Sequence, residues 1–81
     1  MEYIIKEFVD KLKEEDIKSF ALKERVTITD EEVKTIYMYI KNYWQVFYKD
    51  NPDALFKELK EKLSDGVYNK IIELYSKYKK K

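Results

Sequence analysis

A chain of 81 residues with one glycine, Gly66, and one proline, Pro52, has little with which to turn a sheet. Hairpins and strand ends rely on clusters of Gly, Pro, Asn and Asp, whereas helices run for long stretches without them. The fold class that follows is all-α, a compact bundle of four to five short helices forming a single helical domain over residues 1–81. Hydrophobic residues make up 44% of the chain, enough for a core, and 17 basic against 16 acidic side chains leave no field of one sign.

Apolar periodicity supplies the elements. Met1, Ile4, Ile5, Phe8, Val9 and Leu12 share one face of a first helix over Glu2–Leu12, with Tyr3 opposite. A shift of apolar phase predicts a second helix over Glu14–Glu24 that buries Ile17, Phe20 and Ala21, with Glu14 and Lys18 as an i,i+4 pair. Nothing between Leu12 and Ile17 forbids one continuous helix. Arg25–Thr29, rich in β-branched residues, reads as an extended connector that turns Val26 and Ile28 inward.

Thr29, Asp30, Glu31 and Glu32 have the form of a capping box, opening a third helix that runs to Tyr48. The acids of its first turn suit the positive end of the helix dipole. Asn51 as cap and Pro52 at the first helical position start a fourth helix, which ends near Leu63 and carries the stripe Leu55, Phe56, Leu59, Leu63. Ser64 and Asp65 cap a fifth helix to about Tyr78 that buries Val67, Ile71, Leu74 and Tyr75, leaving residues 78–81 as a frayed basic tail.

The third helix is the central, aromatic-rich one. Val33, Ile36, Tyr37, Ile40, Tyr43, Trp44, Phe47 and Tyr48 form a broad face, and Tyr39 and Val46 widen it to about 200°, twice what a surface helix needs. One reading is a helix contacted on two sides, with tyrosine hydroxyls reaching water. The other makes Tyr39, Tyr43 and Val46, spaced i, i+4, i+7, a candidate interaction surface for a partner protein or a second copy in a homodimer.

Catalytic and metal chemistry find no footing. The chain has no cysteine and no histidine, which removes disulfides, thiolate metal sites and the commonest acid/base group near neutral pH. Ser19, Ser64 and Ser76 therefore have no imidazole to activate them, and no glycine-rich phosphate loop exists. Asp50, Asn51 and Asp53 lack the glycine and distal glutamate of a calcium loop. The expectation is a protein that is not an enzyme, with no catalytic residue, cofactor, metal or small-molecule substrate. No apolar run reaches membrane-spanning length, and Glu2, Lys6, Glu7, Asp10 and Lys11 interrupt the N-terminal stretch, so a cytoplasmic location is expected.

Nucleic acid is a disfavoured partner. Among the 17 basic residues only Arg25 is arginine, the residue suited to bidentate grip of phosphate and guanine, and the lysine excess fits A·T-rich codon usage. A helix-turn-helix would have to present Asp30, Glu31 and Glu32 to the phosphate backbone. Charge does drift along the chain: residues 1–24 hold five lysines against seven acids, residues 51–81 eight lysines against five acids. Lys77, Lys79, Lys80 and Lys81 form a candidate anion-contacting tail, through which weak nonspecific nucleic-acid binding is the alternative to a simple solubilising role.

The run Leu12, Lys13, Glu14, Glu15, Asp16, Ile17, then Phe20, Ala21, then Val26 to Val33 resembles the YqfT-like family of small uncharacterised Firmicutes proteins. The resemblance covers residues 12–78, with Lys13 where that family carries a capping threonine and an aromatic run from Tyr37 to Tyr48 in place of a plainer aliphatic helix. It implies a small bacterial cytoplasmic protein and no activity. The function expected from the sequence is a non-enzymatic protein–protein interaction module able to self-associate.

Overall fold

The structure, a computed structural model, describes residues 2–79 and the side chains of residues 3–77. Five helices follow one another: α1 (Glu2–Lys11), α2 (Glu14–Lys23), α3 (Asp30–Lys49), α4 (Asp53–Lys62) and α5 (Asp65–Lys79). No strand occurs among the described residues. The fold is an all-α bundle.

Each joint has a local cause. Lys13 leaves the helical region (φ −124°, ψ 160°), and the Asp16 carboxylate accepts its amide at 2.9 Å, so α1 and α2 are separate helices. At the end of α2, Val26 N donates to Ala21 O at 2.9 Å and Arg25 N to Leu22 O at 3.1 Å. This is a Schellman closure, with Arg25 at φ 60° in the left-handed position where glycine is usual. The extended connector therefore begins at Val26 and not at Arg25, and Val26 and Ile28 do pack inward.

The capping box forms as the sequence predicts. Thr29 Oγ1 accepts from Glu32 N at 3.1 Å, and Glu32 Oε1 accepts from Thr29 N at 3.0 Å. The start of α4 falls one residue later than expected, because Pro52 (φ −89°, ψ 15°) occupies the cap and Asp53 is the first helical residue. Asn51 still contributes, its Oδ1 accepting from Asp53 N at 3.0 Å. The tail expectation at residues 78–81 meets a helix that runs on to Lys79, with Lys80 and Lys81 outside the described residues.

The breadth of α3 is used from two sides. Leu12, Ile17 and Val33 form one core cluster with Ile28, Ile36, Tyr37 and Ile40 against it. Phe56, Leu59, Leu63 and Val67 form the other, joined by residues that include Ile28, Ile36, Tyr39, Phe47 and Tyr75. Between the two, α3 bends at Tyr43 (φ −128°, ψ 20°) with neither proline nor glycine at the bend. Past that bend Phe47 meets Phe56 edge-on at 5.3 Å and Tyr75 at 6.4 Å, and Tyr75 Oη donates to Phe47 O at 3.1 Å. These rings meet in the edge-on geometry that aromatic pairs prefer.

α1 and α2 both lean on α3, while α4 and α5 pair with each other. That division leaves three side chains out of the core that periodicity alone would bury. Ile4 is 59% exposed, Phe8 67% and Phe20 46%, whereas Val9, Leu12, Ile17 and Ala21 on the same helices are buried.

Candidate functional site

The gap between the two helix pairs is an apolar cleft of about 620 Å³. Ile4, Ile5 and Phe8 of α1 and Ile17 and Phe20 of α2 form one wall, while Val67, Ile71, Leu74 and Tyr75 of α5 form the other. Ile36, Ile40, Trp44 and Phe47 of α3 provide the floor. The volume lies within the range of ligand and peptide sites. Its lining is almost wholly hydrocarbon, and the charged residues along it are Asp16, Glu24 and Lys70.

Two of those charges pair with each other. Lys70 Nζ stands 3.6 Å from Glu24 and 3.2 Å from Glu73, so the end of α2 is linked to α5 by an ion pair across the cleft. The hydrogen bond to Glu73 raises the Lys70 ammonium above the ordinary lysine value against the opposing effect of partial burial. Among the described residues no group of His, Cys, Asp and Glu side chains is arranged to hold a metal ion. Nor is any helix long and apolar enough to cross a membrane.

The three residues of the α3 flank fare differently from one another. Tyr39 is half-buried against the α4–α5 core, and its hydroxyl donates to Glu58 at 2.6 Å. That bond to a carboxylate, with burial and the Glu58 charge, pushes the phenol up to about 12. Tyr43 sits at the bend, 41% exposed, its ring tilted against that of Tyr39 at 5.5 Å. Val46 is half-buried. Beside Tyr39 and Tyr43 lies a second, shallower groove of about 280 Å³, bordered by Met38, Asn42 and Lys62.

The basic tail is only partly within view. Lys77 Nζ lies 3.6 Å from Glu73, which it shares with Lys70. Lys79 ends α5 and its side chain, like Lys80 and Lys81, falls outside what the structure describes. Lys41 of α3 is half-buried, and its ammonium donates to the Val9 and Asp10 carbonyls at the C-terminus of α1. It adds a charged donor to the Val9 carbonyl, which also accepts the Leu12 amide at 3.2 Å, and to that of Asp10 in the last turn of α1.

Glu32 likewise does more than close a cap. It is 8% exposed, and its second carboxylate oxygen accepts the Ser64 amide at 2.7 Å, tying the start of α3 to the α4–α5 joint. Burial alone would raise this carboxyl, but the amides of Ser64 and Thr29 outweigh it and hold the group below the ordinary carboxylate value. Sequence reading found the Thr29 half of this arrangement and had no signal for the Ser64 half, which comes from residues 32 positions apart. The exposed rim residues Ile4, Phe8 and Phe20 were visible as apolar, though their exposure depends on helix spacing, which periodicity does not carry.

The chain matches no known family, no curated protein and no solved structure to which it was compared.

Proposed function

We propose that this chain is a small, non-enzymatic cytoplasmic protein-interaction module whose working surface is the cleft between the α1–α2 and α4–α5 pairs. The observation that carries the reading is an apolar cleft of about 620 Å³ rimmed by three exposed large side chains, Ile4, Phe8 and Phe20. Contiguous apolar surface of this kind, edged by charged residues, is characteristic of association sites. Each of these side chains, 46–67% exposed, forgoes roughly half of the about 1.5–3 kcal/mol that full burial would contribute.

Trp44, the only tryptophan, lies half-buried on the cleft floor and reports on it directly. Energy transfer from Trp44 to anilinonaphthalene sulfonate is expected on titrating the intact chain, and Phe8→Lys together with Phe20→Glu should reduce it at least tenfold. Dye binding unchanged by both substitutions would refute the cleft as the working surface.

A second surface for self-association is supported by the α3 flank, where Met38 is 58% and Tyr43 41% exposed. It predicts that Tyr43→Lys, which disturbs no core cluster, weakens any dimer. A dimer indifferent to Tyr43→Lys would remove that reading.

A further inference from the structure

We infer that the Lys70–Glu24 ion pair is a strut that holds the cleft open, keeping the α2 and α5 walls from closing on each other at a cost in stability. The inference rests on the reading of the cleft as the working surface and assigns the device that preserves it.

Two hydrocarbon walls facing each other across water attract, because closing the gap removes apolar surface from solvent. Phe8 and Phe20 on one side and Ile71 and Leu74 on the other line the same cleft, and Phe8 and Phe20 are exposed. α1 and α2 lean on α3 while α5 pairs with α4, so each wall is carried by a neighbour rather than by the wall opposite. An open cleft therefore needs something between its walls that resists closure.

The ion pair has the properties of such a spacer. Lys70 Nζ stands 3.6 Å from the Glu24 carboxylate, both residues line the cleft, and their side chains are 27% and 28% exposed. Charges that keep this much water cannot be carried into a closing apolar gap without losing hydration that their mutual attraction does not repay. Asp16, the remaining charge on the lining, is engaged at the α1–α2 joint, where it accepts the Lys13 amide at 2.9 Å.

Both ends of the strut are braced. Glu24 is the C-cap of α2, followed by Arg25 at φ 60°, and from Val26 onward the chain packs against the α4–α5 cluster. The strut thus stands where the chain crosses from one wall to the other, and a change of spacing there tilts the whole of α2. On the other side Glu73 holds Lys70 at 3.2 Å along α5 and is itself 3.6 Å from Lys77. The bond to Glu73 also favours the charged lysine, so the strut stays ionised.

Stability alone would be served better by a different pair. Replacing a partly desolvated ion pair with apolar side chains of similar size is often stabilising, and here it would also let the walls meet. Retaining the charges gives up that gain and keeps the cleft accessible, the usual exchange between stability and a working site.

The test uses the intact chain and a neutral apolar dye, N-phenylnaphthylamine, whose binding does not depend on the charge of the protein. Energy transfer from Trp44 on the cleft floor reads binding, and circular dichroism reads the thermal midpoint. Glu24→Leu combined with Lys70→Met should weaken dye binding by about fivefold or more and raise the midpoint by about 4 °C or more, the two readouts moving in opposite directions. Lys70→Met alone should move both the same way by less. Glu73→Gln leaves the cross-cleft pair in place and should bind the dye as the natural chain does. Dye binding that survives both Lys70→Met and the double substitution overturns the strut. So does weakened binding with a midpoint that stays or falls, since the pair would then be an ordinary stabilising contact, and so does an equal loss of binding in Glu73→Gln. A natural chain whose Trp44 transfers no energy to the dye ends the cleft reading and the strut together.

Discussion

Replacing Glu32 by alanine should destabilise the fold more than any other single change of a polar residue. The carboxylate accepts the Thr29 amide at 3.0 Å and the Ser64 amide at 2.7 Å at a site only 8% exposed. Hydrogen bonds to a charged group contribute about 1.5–3 kcal/mol each. Both are part-buried, so the lower figure applies to each and the pair accounts for about 3 kcal/mol, less a few tenths regained from alanine's helix propensity. A domain of this length has about 4–12 kcal/mol in all. At about 4–8 °C per kcal/mol the thermal midpoint should fall by roughly 12–24 °C, read by far-ultraviolet circular dichroism.

The same group contributes to the acid limb of stability. Its folded value lies below its unfolded value, so between the two the unfolded chain binds the proton and stability rises with pH. The contribution is complete above the unfolded value near 4.5 and disappears as pH falls through the folded one. Glu32→Gln cannot titrate and should flatten that limb. A midpoint loss below about 4 °C for Glu32→Ala at neutral pH, or a Glu32→Gln acid limb as steep as that of the natural chain, would refute the reasoning.

Four further outcomes follow from single positions. Arg25→Gly should stabilise the protein by about 0.5–1 kcal/mol in urea unfolding, since Arg25 holds a left-handed φ of 60° that glycine adopts without strain. Gly66→Ala should stabilise it by a similar amount, about 0.5–1 kcal/mol, because a methyl group at this helical position meets nothing within 4 Å. In alkaline titration followed by tyrosinate absorbance, Tyr39 should ionise at about 12, and Glu58→Gln should lower that value. Lys41→Met should remove the charged donor from the Val9 and Asp10 carbonyls at the end of α1, costing about 1–2 kcal/mol and speeding amide hydrogen exchange in α1 before that of other helices.

What the sequence disclosed was mostly local. The helix class, the Thr29–Glu32 box and the inward turn of Val26 and Ile28 all arise within a few residues of one another, where residue type and spacing carry the information. Arg25 departs from the extended expectation for a local reason too, since the residues that follow it are rich in β-branching while the Schellman bonds that the Val26 and Arg25 amides donate to the Ala21 and Leu22 carbonyls accompany its left-handed φ. Pro52 as cap rather than first helical residue is a shift of one position in an otherwise legible start. The site was less legible. Apolar stripes on α1 and α2 identified Ile4, Phe8 and Phe20 as candidates for burial, but whether a stripe is covered depends on the distance to the next helix. Here that distance is fixed by contacts such as Glu32 to Ser64 and Lys70 to Glu24, each joining residues far apart in the chain.

The two core clusters meet at Ile28 and Ile36, and each is built largely from one continuous stretch of chain. This gives the protein a direction in time. During synthesis every residue of the cluster of Leu12, Ile17 and Val33 is available once Ile40 has left the ribosome, before any residue of α4 or α5 is. The other face of Ile36 then waits, uncovered, until Val67 and Tyr75 arrive. A chain arrested in that interval should be a three-helix fragment with one side covered, Ile36 being the residue on which the second half of the molecule is then laid down.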